Sequence, residues 1–140
     1  MANPVPDGTY SIELPFDGGC ITDPGEGRFL HLLPHGVLGE DADKINVLYK
    51  PEKGCYIFQF AKSKKYLTWE GDLKTNTKLI DGDKPSCFKI TKHNYEEDKF
   101  TISAAEDKQY HVGPALERIY PPWVAMLNFP EKQAWAFKKA

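Results

Sequence analysis

Few residues in this chain stand in patterns that do chemistry. His31 and His35 are four apart, the spacing at which a helix presents two imidazoles to one zinc ion. Here they fall in a strand and the turn after it, so no metal site is expected. Cys20, Cys55 and Cys87 show neither the CxxC spacing of a zinc site nor a local nucleophile signature. Each lies in or beside an expected strand, where cysteine serves as a small buried hydrophobe. Their odd number, and the lack of a basic-then-apolar leader in MANPVPDGTY, favour three reduced thiols and a cytoplasmic location. One disulfide with a third, free cysteine is the alternative. Glu96 and Glu97 diverge on an extended chain and make a poor acid–base pair. No GxSxG, HExxH or phosphate-loop pattern occurs. These absences argue against an enzyme, and no cofactor is expected.

The elements that position side chains are strands. In the stretch Gly54 to Trp69, Tyr56, Phe58 and Phe60 alternate with Ile57, Gln59 and Ala61. This period of two is rich in aromatic and β-branched residues, as a strand requires. The turn Lys62-Ser63-Lys64 follows, then a second short run from Tyr66, which together read as a hairpin. The pattern recurs at Tyr10 and Ile12, and again at Phe100 and Ile102, about 45 residues apart each time, the signature of an internal repeat. A second element repeats in phase. Val47, Phe88 and Trp135 align, as do Tyr49, Ile90 and Phe137. We therefore expect three units, over 8–50, 54–92 and 98–140, within one domain spanning 1–140.

Composition limits the partners. The chain has 140 residues and a net charge of −2, with a pI near 6.1. No basic stripe is present to neutralise phosphates, so no nucleic-acid partner is expected. No apolar run approaches membrane-spanning length. Eleven glycines and eleven prolines, scattered between short apolar runs, favour many turns over long helices.

In order, the first unit has strands at Thr9 to Leu14, Cys20 to Thr22, Phe29 to Leu33 and Ile45 to Lys50. In the second, Lys78 to Ile80 is the third strand, Asp81 to Ser86 a turn, and Cys87 to Lys92 the closing strand. The third has Phe100 to Ala104, Gln109 to Val112, Trp123 to Leu127 and Ala134 to Lys138. Each hairpin has one apolar face and cannot stand alone. Six strands closed into a barrel remove their edges, and three hairpins can cap one end. Threefold repetition with four strands per unit resembles the β-trefoil, an all-β fold of twelve strands.

Nearly the whole chain resembles the β-trefoil protease inhibitors of mushrooms, both the cospin- and cnispin-like serine protease inhibitors and the mycocypins that block papain-type enzymes. DGTYSI (Asp7 to Ile12), DPGEG (Asp23 to Gly27), LIDGDKPSCFKIT (Leu79 to Thr91) and QAWAF (Gln133 to Phe137) carry the likeness. The resemblance implies a monomeric fungal defence protein whose partner is a protease, held by a rigid extended loop. The loop between the second and third strands is one candidate: Thr22, Asp23, Pro24, Gly25 and Arg28. Asp23 suits a trypsin-like pocket poorly, because a carboxylate lies at the base of that pocket, so the basic anchors are Arg28, Lys132 in the loop before the last strand, and Arg118 in the loop flanked by Pro114, Pro121 and Pro122. For a papain-type target the candidates are Gly18 and Gly19 with His35 and Gly36, since glycine lets backbone enter a narrow cleft.

A ricin-type lectin with a glycan partner is the further alternative. Its QxW motif occurs once, at Gln133-Ala134-Trp135, and no Asp with an aromatic platform accompanies it. On this reading no appreciable glycan binding is expected.

Overall fold

The computed structural model describes residues 4–15 and 19–140. The first repeat contributes β1 (Gly8–Glu13), β2 (Cys20–Thr22), β3 (His31–Leu33) and β4 (Ile45–Lys50). The second contributes β5 (Cys55–Phe60), β6 (Tyr66–Thr68), β7 (Thr77–Lys78), β8 (Ile80–Gly82) and β9 (Phe88–Lys92). The third contributes β10 (Phe100–Ala104), β11 (His111–Pro114), β12 (Val124–Leu127) and β13 (Ala136–Lys139).

Each repeat's opening strand lies between its own closing strand and that of the preceding repeat. β1 pairs with β4 and β13. β5 pairs with β4 and β9. β10 pairs with β9, and Phe100 bridges to Trp135 just ahead of β13. Six strands thus close into a barrel with no open edge. The hairpins β2–β3, β6–β8 and β11–β12 cap it, and the fold is a β-trefoil.

The in-phase aromatic and aliphatic positions make the core. Val47, Phe88 and Trp135 are all 0% exposed, and the Trp135 indole N–H donates to the Val112 carbonyl at 2.9 Å. Burying such a side chain stabilises the fold by about 1.5–3 kcal/mol. Tyr49 and Phe137 pack partly buried against the same core.

Three local expectations change. The third strand of the second repeat is split at Leu79, whose backbone bonds to two other repeats instead of continuing one ladder. Asp81 and Gly82 belong to β8 and not to a turn, because they pair with Leu67 and Tyr66. The second strand of the third repeat starts at His111, since the Asp107 carboxylate and carbonyl accept the Gln109 and Tyr110 N–H groups in a turn.

The cysteines also differ from expectation. Cys55 and Cys87 form a disulfide, with Cα atoms 5.5 Å apart, and only Cys20 is free, and buried. The register pair Tyr56–Phe88 brings together two strands whose cysteines are 32 residues apart, a proximity that no local spacing reveals.

Candidate functional site

At the centre of the cap the repeats meet in a ring of backbone hydrogen bonds. The Leu30 N–H donates to the Leu79 carbonyl at 2.9 Å, Leu79 to Val124 at 2.9 Å, and Val124 back to Leu30 at 3.0 Å. Bridges Phe29–Ile80 and His31–Trp123, and the register pair Lys78–Ala125, surround the ring. The residue before each ring member is therefore Phe29, Lys78 or Trp123, and the three stand together. Phe29 and Trp123 meet edge to face at 4.9 Å between centroids. The Lys78 ammonium lies 5.8 Å from the Phe29 centroid and 5.7 Å from that of Trp123. Glu117 fixes this ammonium at 2.8 Å, which holds the Glu117 carboxyl below its usual range. Phe29 is thereby locked in place while staying 39% exposed.

Beside Phe29 runs a groove lined by Glu70, Gly71, Asp72, Lys74, Asn76, Thr77 and Lys78. The loop that forms it is anchored at two points. Trp69 packs edge-on against Phe88 at 5.8 Å, and Leu73 packs against the core. Inside the loop the Thr77 hydroxyl donates to the Asp72 carbonyl and accepts the Lys74 N–H. Asn76 ties it to the next loop, accepting the Leu116 N–H at 2.9 Å and donating to Glu117. Glu70 and Asp72 are left exposed, their carboxylates free to accept hydroxyl protons.

The corresponding loop of the first repeat uses its polar groups on itself and on the Ser63 turn of the second repeat. Asp23 accepts the Gly25 N–H at 2.8 Å through Oδ1 and the Ser63 hydroxyl at 2.9 Å through Oδ2. The Arg28 guanidinium donates to the Pro24 carbonyl at 3.1 Å. Asp81 lies against Asp23 at the position that Leu32 and Met126 occupy in the other hairpins. Its Oδ1 has no partner among the described residues. Burial first, then the hydrogen bond and charge of Asp23, push the Asp81 carboxyl up to about 6.

The inhibitory-loop candidates are spread over several loops. Thr22 is buried, its hydroxyl donating to the Cys20 carbonyl. Gly25, Glu26 and Gly27 have φ of 88°, 61° and 67°, a left-handed curl and not the extended strand that a protease cleft pairs with. Arg118 and Lys132 are exposed side chains on separate loops, and the Lys132 carbonyl accepts the His93 Nε2–H at 2.9 Å. Gly18 lies outside the described residues. The Gly19 carbonyl accepts the Leu14 N–H. His35 and Gly36 are tied to Asp43, 2.9 Å from the His35 Nδ1 and from the Gly36 N–H. Sequence reading missed Phe29, Glu70 and Asp72. The phase of Phe29 with Lys78 and Trp123 would have revealed only the first of these.

No family model matches this chain, and no curated protein matches it in sequence. Solved structures do match. The Rhizoctonia solani agglutinin gives a TM-score of 0.83 at 16% identity over 100% of both chains. The ricin B-like lectin of Macrolepiota procera, solved with lactose, gives 0.85 at 19% identity over 99% of this chain and 100% of that one. The Polyporus squamosus lectin, bound to Neu5Acα2-6Galβ1-4GlcNAc, gives 0.79 at 16% identity over 98% of this chain and 50% of that one. At these identities the likeness establishes the β-trefoil fold. It also corrects the expected function: these matches, two of them along the whole of both chains, are lectins and an agglutinin, not protease inhibitors.

Proposed function

We propose that the protein is a carbohydrate-binding β-trefoil, a lectin and not an enzyme, that takes glycans in the groove between Phe29 and the loop from Glu70 to Lys78. The observation that carries this is Phe29, an aromatic ring 39% exposed yet clamped by Trp123 and Lys78, in one groove with the exposed carboxylates of Glu70 and Asp72. A sugar presents an apolar C–H face and a rim of hydroxyls. A rigid ring covers the first at little ordering cost, because it is clamped before binding, and exposed carboxylates accept from the second. Lactose and the sialylated trisaccharide held by the two lectins above share a β-linked galactose, so β-galactosides are the first probes. A glycan array tests the reading: the parent should bind one related set of glycans, and Phe29→Ala should lose it with an unchanged melting temperature. No binding by the parent, or full binding by Phe29→Ala, overturns it.

A further inference from the structure

Away from the cap groove, three side chains with metal-ligating atoms converge under the connection between β3 and β4. Cys20 opens β2, His35 lies in the turn after β3, and Asp43 stands just before β4. One ligand atom from each falls within 4.8 Å of the others. Asp43 is 1% exposed. Its Oδ2 accepts the Gly36 N–H at 2.9 Å and lies 2.9 Å from the His35 Nδ1, while its Oδ1 has no hydrogen-bond partner among the described residues. A buried carboxylate oxygen left without a partner carries a desolvation penalty, which a bound cation removes. Glu13 extends the group, its Oε2 standing 3.8 Å from the Cys20 sulfur.

We propose that Cys20, His35 and Asp43 form a zinc-binding site, with Glu13 or a water as fourth ligand. One sulfur, one imidazole nitrogen and carboxylate oxygen are the donors that Zn²⁺ prefers, and magnesium or calcium would avoid the first two. Zinc–ligand bonds of about 2.0–2.3 Å put tetrahedral ligand atoms about 3.3–3.8 Å apart. The group must therefore contract slightly, and the exposed turn bearing His35, whose side chain is 65% exposed, is free to supply that movement. On binding, the Cys20 thiol passes its proton to solvent and its sulfur bonds to the metal. The site would then staple the long connection of the first repeat onto β2, raising stability wherever zinc is bound.

The test is titration of metal-free protein with Zn²⁺ against a chromophoric chelator, and with Co²⁺ as the spectroscopic probe. The parent should bind one equivalent, show a thiolate-to-cobalt charge-transfer band, and melt at higher temperature with zinc. His35→Ala removes a solvent-exposed ligand and should weaken zinc about tenfold or more, while His31→Ala should match the parent. Cys20→Ser should lose the band. Failure of the parent to bind zinc, cobalt bound without the band, or equal affinity in His35→Ala overturns the site. If Cys20→Ser does not fold, the parent spectrum and His35→Ala still decide it.

Discussion

The cap loops of the first and second repeats lead from equivalent strands to equivalent positions on the pseudo-threefold axis, yet they spend their polar groups differently. In the first, Asp23 accepts from Gly25 and Ser63, and Arg28 donates to Pro24. The loop is satisfied by its own atoms and by the Ser63 turn of the second repeat, and it curls through three left-handed residues. In the second, Trp69 and Leu73 anchor the loop from the core side, which leaves Glu70 and Asp72 exposed beside the Phe29 ring. A trefoil repeats geometry faithfully and chemistry freely. On the proposed reading, binding capacity belongs to the loop with exposed carboxylates left over, and stability to the loop that has used its own.

The largest expected effect tests the second loop. Phe29→Ala removes the clamped ring and should weaken binding of β-galactosides, the first probes, by about 2–3 kcal/mol, roughly thirty- to more than a hundredfold, as loss of a central aromatic anchor does. Calorimetric titration of the array's best ligand measures this. Asp23→Asn in the first loop should leave that affinity within about twofold. Should Asp23→Asn abolish binding while Phe29→Ala spares it, the two loops have been assigned the wrong way round.

Next in size is the pH dependence of Asp81, the β8 residue that lies against Asp23 of the first loop. An unfolded aspartate titrates near 3.9, whereas folding pushes Asp81 up to about 6. The native state therefore holds this proton more tightly. Its stability contribution is complete below about pH 4 and is lost as pH rises through about 6, a cost at neutral pH of about 1–3 kcal/mol. Asp81→Asn cannot ionise, so its stability relative to the parent should grow between pH 4 and 7 in denaturant melts. A constant difference across that range would mean that Asp81 carries no such burden.

The barrel was legible in the sequence because a closed sheet imposes a period of two and a repeat of about 45 residues, and both survive as phase. Tyr10, Tyr56 and Phe100 open the three repeats as expected, and Val47, Phe88 and Trp135 are fully buried. The candidate site was not legible, because it is assembled across repeats. Phe29 and Asp72 are far apart in the chain and meet only when the ring of Leu30, Leu79 and Val124 forms. Asp81 misled for the opposite reason. Followed by Gly82 and Asp83, it has turn composition, and tertiary pairing with Leu67 overrode that preference. The cysteines likewise obey cross-strand proximity and not sequence spacing.

A smaller effect is expected at the clamp. Lys78→Met keeps the aliphatic stem but removes the ammonium from the two rings and from Glu117. Loss of a partly exposed cation–π contact costs about 0.5–1 kcal/mol, and the solvent-screened ion pair adds little. Because Phe29 keeps its edge-to-face contact with Trp123, glycan affinity should fall only severalfold. A loss as large as that of Phe29→Ala would show that the lysine touches the sugar directly.

The smallest effect separates the loops most sharply. The Ser63 hydroxyl donates to Asp23 from an exposed turn of the second repeat, so Ser63→Ala breaks a 2.9 Å hydrogen bond that ties that turn to the first cap loop. A single hydrogen bond to a charged but solvent-accessible acceptor contributes about 0.5–1.5 kcal/mol net, with water replacing part of it. The melting temperature should drop by a few degrees at most, since about 1 kcal/mol shifts a domain of this size by roughly 2–8 °C. Glycan affinity should stay unchanged, because nothing in the Phe29 groove touches Ser63. A variant that keeps its stability but loses glycan binding would place the sugar against Asp23, and the self-satisfied loop would then be the binding one.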